Sequence, residues 1–190
     1  MMKFLSLSLA LGILGVNTTQ ASVPSLAVTF DTNVVTYSMT NSQEDKIARA
    51  EEKIRDVIAS EEFKNKVINH TYNGRKTFVN NGGLTNTEIY YKILNGAEKL
   101  QPSKDNEMDL GIKVYYEDSN TVGYTMTGSK NINMNTKFLN KYTANQVTRN
   151  MTHEWLHKLG FTHAVTYSSS RDYSVPYAIG SIMEKLAAKY

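Results

Sequence analysis

The spacing of hydrophobic side chains changes several times along the chain, and each change marks an element. Residues 27–39 (AVTFDTNVVTYSM) are rich in β-branched and aromatic types, which predicts one strand or two. From Asn41-Ser42 the period lengthens. Ile47, Ala50, Ile54, Val57 and Ile58 recur at helical spacing behind the acidic Glu44 and Asp45, so a helix that buries one stripe is expected. Phe63, Val67 and Ile68 extend it or build a second short helix. Asn80-Asn81-Gly82-Gly83 reads as a loop. Thr85-Asn86-Thr87-Glu88 then has a capping-box pattern ahead of Ile89, Tyr90, Ile93 and Leu94, with Asn95-Gly96 as a stop. Three strands follow: Leu110–Tyr116, Val122–Met126 and a short Ile132–Met134.

The last strong helical signal carries the chemistry. Thr143 opens it, with Gln146 as a capping partner, and Val147, Met151, Trp155 and Leu159 repeat every four residues as a buried ridge. At about 100° per residue, His153 and His157 lie only about 40° apart and point away from that ridge. They belong to His153-Glu154-Trp155-Leu156-His157-Lys158-Leu159-Gly160-Phe161-Thr162-His163, which is H-E-x-x-H-x-x-G-x-x-H. Each fixed position answers a separate need. Two imidazoles on one face hold a metal ion. Gly160 supplies the left-handed conformation that ends a helix cheaply, and the chain can then bring His163 back to the same point. Zinc prefers four ligands, so three histidines leave one position for water. Glu154 cannot easily join both histidines on their face and is expected to act as general base. A lone histidine usually caps, packs or faces solvent. His70, the fourth histidine, has no such context and is read as a surface or helix-end residue.

Composition bounds the rest. A chain of 190 residues, 41% hydrophobic and 21% charged, suits one globular domain. Its net charge of +3 is spread out and forms no nucleic-acid footprint, so no nucleic-acid partner is expected. Cysteine is absent, which excludes disulfides, thiolate ligands and lipid attachment at a cysteine. Lys3, the apolar run Phe4–Val16 and the small-residue site at Thr19-Gln20-Ala21 read as a signal peptide over residues 1–21. An uncleaved anchor is the competing reading. Export to a periplasmic or extracellular space is expected, with residues 22–190 as a single mature domain and no stable membrane association after cleavage. Two glycosylation sequons, at Asn69 and Asn150, are treated as chance.

Through this zinc motif the chain resembles the metzincin metallopeptidases. A second segment, Gly180-Ser181-Ile182-Met183, resembles their Met-turn. The likeness spans roughly residues 122–185. It implies an α+β, zincin-like fold: a twisted mixed sheet with an antiparallel edge strand, packed on an N-terminal helix and the active-site helix. An upper part would run to about residue 163 and a small lower part would cover 164–190. Val122–Met126 would be the edge strand and Ile132–Met134 the inner one. One catalytic Zn2+ would be held by His153, His157 and His163, with Glu154 as base, a peptide or protein as substrate, and Met183 as apolar support beneath the metal. The other reading of Met183 is ordinary core of a C-terminal helix, together with Ile182, Leu186 and Ala187. The chain also departs from the pattern. Astacin- and serralysin-like members carry a tyrosine two residues after that methionine, where Lys185 stands here. Tyr173 or Tyr177 would have to replace it in stabilising the oxyanion, and Tyr177 is preferred. The resulting expectation is a secreted zinc endopeptidase. A zinc hydrolase of cell-wall peptide amides, or a non-catalytic zinc-bearing binding module, are the alternatives; Glu154 and the three-ligand set argue against the last.

Overall fold

A computed structural model describes residues 28–190, and the expected signal peptide lies outside the described residues. In chain order the elements are β1 (Asp31–Tyr37), α1 (Asn41–Ala59), α2 (Glu61–Ile68), α3 (Asn86–Asn95), β2 (Glu107–Tyr115), β3 (Gly123–Thr125), β4 (Asn131–Asn135), α4 (Thr136–Leu139), α5 (Ala144–Lys158) and α6 (Val175–Ala187). The architecture is α+β. One mixed sheet runs in the order β1-β2-β4-β3. β1 pairs parallel with β2, Val34 opposite Leu110, and β2 pairs parallel with β4, Ile112 opposite Ile132. β3 alone is antiparallel, Tyr124 opposite Asn133, and it forms one end of the sheet.

Side chains that alternate along β2 decide which face is covered. Met108, Leu110 and Ile112 are buried, and Ile132 and Met134 of β4 join them. The stripe read in the sequence of α1 is buried along its whole length, as is the ridge Val147, Met151, Trp155 and Leu159 of α5. These two helices and α6 close over the sheet around one core, in which Phe30 meets Trp155 edge-on at 5.8 Å.

Local signals explain where elements begin. Thr40 caps α1 in a reciprocal box with Gln43, one residue before the start read from Asn41-Ser42. Ser60 has extended backbone, ends α1 and caps Phe63 through its hydroxyl, so α2 is a second helix and not an extension of the first. The box at Thr85 and Glu88 forms, and Gly96 ends α3 in the left-handed region at φ 66°.

The C-terminal segment corrects one expectation. Gly180-Ser181-Ile182-Met183 is not a turn but the interior of α6. Gly180 serves close packing: a Cβ there would lie 3.3 Å from the Arg149 carbonyl oxygen and 3.7 Å from the His153 Cβ. The glycine lets α6 press against α5 directly behind a predicted ligand. Met183 is fully buried one turn further on, with Ile179 and Leu186, in the same core as the rest of the chain. Segment 164–190 therefore has no separate core of its own among the described residues.

Candidate metal centre and its cleft

Both ends of α5 are fixed by local chemistry. At its start the Thr143 N–H donates to Gln146 Oε1 at 3.0 Å and the Gln146 N–H returns to Thr143 Oγ1 at 3.3 Å. At its end the Phe161 N–H donates to the Leu156 carbonyl and the Gly160 N–H to the His157 carbonyl, each at 3.0 Å. That pair of bonds is the Schellman arrangement, and Gly160 adopts the required positive φ of 95°. The chain turns back, and His163 comes to rest against the two helical histidines.

The three rings gather closely. Centroid separations are 5.1 Å for His153–His157, 5.1 Å for His153–His163 and 4.9 Å for His157–His163. Their candidate ligand atoms all lie within 4.8 Å of one another. Backbone carbonyls fix the tautomers. His157 Nδ1 donates to the Phe161 carbonyl at 2.8 Å and His163 Nδ1 to the Ala164 carbonyl at 3.0 Å, while His153 is hydrogen-bonded at the Pro176 backbone. With Nδ1 protonated, Nε2 is a bare lone pair. Yet His153 Nε2 and His163 Nε2 face each other at 3.2 Å. At that range the two nitrogens can share a proton or a cation held between them. Tetrahedral zinc with nitrogens at about 2.0–2.1 Å separates its ligands by about 3.3 Å, so the donor set and spacing fit such an ion. Burial first, then the neighbouring His157 and His163, push the His153 pKa down to about 3, and burial lowers that of His157 as well. Both rings are thereby kept neutral, the form that binds metal.

Glu154 shares this end of the molecule. It is 5% exposed, and burial raises its pKa to about 7, against the opposing pull of Thr125 and Lys158. A carboxyl poised near neutrality in a cleft can take up and release a proton. The cleft has a volume of about 1040 Å³. One wall is α5. The other is β3 and its flanks, Gly123 to Met126, with Tyr124 and Met126 exposed. Two contacts hold the walls together: Thr125 Oγ1 donates to the Glu154 carbonyl at 3.4 Å, and Lys158 Nζ donates to the carbonyls of Ser129 and Asn131 at 2.6 and 2.7 Å.

The remaining predicted residues divide. Tyr177, in the first turn of α6, packs edge-on against His153 at 4.6 Å and against His163 at 4.7 Å between centroids. Tyr173 points elsewhere and packs on Tyr72 at 5.0 Å and on His70 at 6.1 Å. His70 is a helix-end residue, as read, just past α2 and half-buried. Its ring stacks on Phe78 at 4.0 Å and 11°, and burial lowers its pKa. Met183 lies in the core and does not line the cleft.

Two cleft residues escaped the sequence reading. Glu98, in the loop after α3, is 4% exposed; its Oε1 accepts from the Trp155 indole N–H and from the Asp109 N–H. Burial is the main reason its pKa rises to about 7. A tryptophan on the buried ridge needs an acceptor for its indole, which is the only signal the sequence held for Glu98. Arg171 donates to the Tyr177 hydroxyl and lies over that ring at 4.5 Å; it sits in no periodic pattern. Comparison of the chain with protein-family models, with curated proteins and with solved structures finds no match.

Proposed function

We propose that this chain is a zinc-dependent peptidase of the metzincin type, exported from the cytoplasm, that hydrolyses internal peptide bonds of proteins or peptides. One observation carries the reading. Three imidazoles converge, His157 and His163 with their Nδ1 protons committed to carbonyls, and a buried carboxyl, Glu154, stands beside them in the same cleft. The antiparallel end strand β3, which borders that cleft, supports it further.

Zinc held by His153, His157 and His163 supplies Lewis acidity, making water more acidic and polarising a carbonyl. The chain's own groups do the rest. Glu154 takes the proton from the attacking water and delivers it to the leaving nitrogen, which its raised pKa permits. β3 offers backbone donors and acceptors to an extended peptide, an interaction that gives affinity with little sequence preference. The hydroxyl of Tyr177 accepts from Arg171, which leaves its own proton free to turn toward oxygen charge developing in the cleft.

The test is digestion of a denatured protein by the zinc-loaded chain, with and without a chelator. Cleavage that stops on chelation and returns with zinc is expected. Cleavage that survives full metal removal would overturn the reading.

A further inference from the structure

We infer that Arg171 is a receptor for a substrate carboxylate, so that the preferred peptides carry an acidic side chain or a free carboxyl terminus beside the bond to be cut. The inference rests on the peptidase reading above for the cutting, but not for the binding.

Arg171 begins the short 3-10 turn Arg171–Tyr173 and lines the cleft. Its guanidinium lies over the Tyr177 ring, and that ring touches the imidazoles of His153 and His163. Tyr177 therefore touches both a positive charge and the candidate metal centre. A group bound to Arg171 belongs to the residue flanking the reacting bond, not to a distant part of the substrate.

The charge is unanswered by the protein. Among the described residues no carboxylate forms an ion pair with Arg171, and its one hydrogen bond goes to a neutral hydroxyl. Its Nε is buried and has no partner at all. A guanidinium N–H left without an acceptor is costly. Lys99 and Lys130 also line the cleft without an ion pair, but as point charges on flexible stems; the two cations with fixed partners contrast with Arg171. Arg149 pairs with Glu184 at 3.0 Å, and Lys158 donates two of its three N–H groups to carbonyls and is drawn to Glu154. Arg171 has no such partner and faces the cleft with donors to spare.

Stacking and the hydroxyl bond hold the guanidinium plane in place before any ligand arrives. A planar fork already oriented loses little entropy when it binds, and its geometry matches a carboxylate through two parallel N–H···O bonds. A neutral amide of the same shape offers one acceptor and no charge. Acidic side chains and terminal carboxylates present the same chemistry, so the probes must separate them.

The experiment measures binding, which needs no turnover. Zinc-loaded chain carrying Glu154→Gln is titrated into four fluorescein-labelled peptides followed by polarisation. Two are amidated alanine hexapeptides with glutamate or glutamine at the fourth position. Two are alanine hexapeptides with a free or an amidated terminus. The carboxylate member of one pair is expected to bind about ten-fold tighter, as one charged hydrogen-bonded contact implies; the pair that discriminates names the source. Arg171→Gln should erase the difference and Arg171→Lys retain part of it. Tyr177→Phe should keep it, because the charge remains. Equal binding in both pairs, binding of none of the four, or a preference that survives Arg171→Gln overturns the assignment. Incubating the same peptides with the unsubstituted chain separates the two proposals: preference without cleavage sinks the peptidase reading alone, and cleavage without preference sinks the carboxylate receptor alone.

Discussion

The Nε2 atoms of His153 and His163 lie 3.2 Å apart, while the His163 ring donates from Nδ1 to the Ala164 carbonyl. A cation bound at that contact would hold the two rings together. His153 stands on α5 and His163 on the loop beyond it, so an ion bound there ties two segments together. Zinc is therefore expected to stabilise the fold as well as to activate it. At about 100 times its dissociation constant a ligand adds about 2.7 kcal/mol, which for a domain of this size raises Tm by about 5–10 °C. His163→Ala should abolish most of that rise and leave the metal-free Tm nearly unchanged. Calorimetry with and without zinc checks it; a variant still raised as far as the unsubstituted chain would show that His163 is no ligand.

Glu154→Gln separates holding the metal from using it. The amide has the same size and stays in the same buried place, so the three histidines should bind zinc as before. Without a carboxylate there is no group to take the proton from water, and a loss of about 10²–10⁴ in kcat is expected. Zinc content by elemental analysis and cleavage rate on one preparation read both effects. Cleavage at the unsubstituted rate, or loss of the metal, would each remove Glu154 from the role of base.

How much of this was legible depended on whether a residue obeyed a local rule. The ridge of α5, the stripe of α1 and the caps at Thr85 and Thr143 were readable because helix period and capping need only neighbours in sequence. The motif placed His153, His157 and His163 together for the same reason, with Gly160 supplying the turn between them. The edge and inner strands, β3 and β4, also fell where expected. Gly180 misled. The likeness to a Met-turn favoured a turn at Gly180–Met183 over a C-terminal helix, but Gly180 is the contact point of two helices, which only α5 lying against it reveals. Glu98 and Arg171 could not be read at all, since their partners Trp155, Asp109 and Tyr177 belong to other elements and no spacing links them.

Gly160 is the hinge on which the third ligand depends. Its φ of 95° is unfavourable for any side chain, and a Cβ would sit 2.4 Å from the Lys99 Cε. Gly160→Ala must strain the backbone and displace the lysine, a cost of about 1–2 kcal/mol. If the strain is relieved by opening the turn, His163 leaves the other two rings, and zinc affinity falls more than stability alone would explain. Tm measured without metal gives the first effect and zinc titration the second. An alanine variant with unaltered Tm and zinc affinity would mean that the turn is not required.

Glu98 gives the fold a pH dependence that is distinct from the metal site. Its pKa stands at about 7 in the folded chain against 4.5 as the ordinary value, chiefly through burial. Between those two values the folded state keeps a proton that the unfolded chain has released. Folding stability from this group therefore falls as pH rises from about 4.5 to about 7 and is flat on either side, a total on the order of 3 kcal/mol. Glu98→Gln removes the ionisation but keeps an oxygen that can accept from the Trp155 indole and the Asp109 N–H. At about pH 5, where Glu98 is protonated when folded, the two chains should melt together; at about pH 8 the glutamine variant should melt higher, by about 5 °C or more. The comparison is best made without zinc, so that histidine titration at the metal site is common to both chains. A Tm difference that is the same at both pH values would mean that Glu98 does not change its charge within the fold.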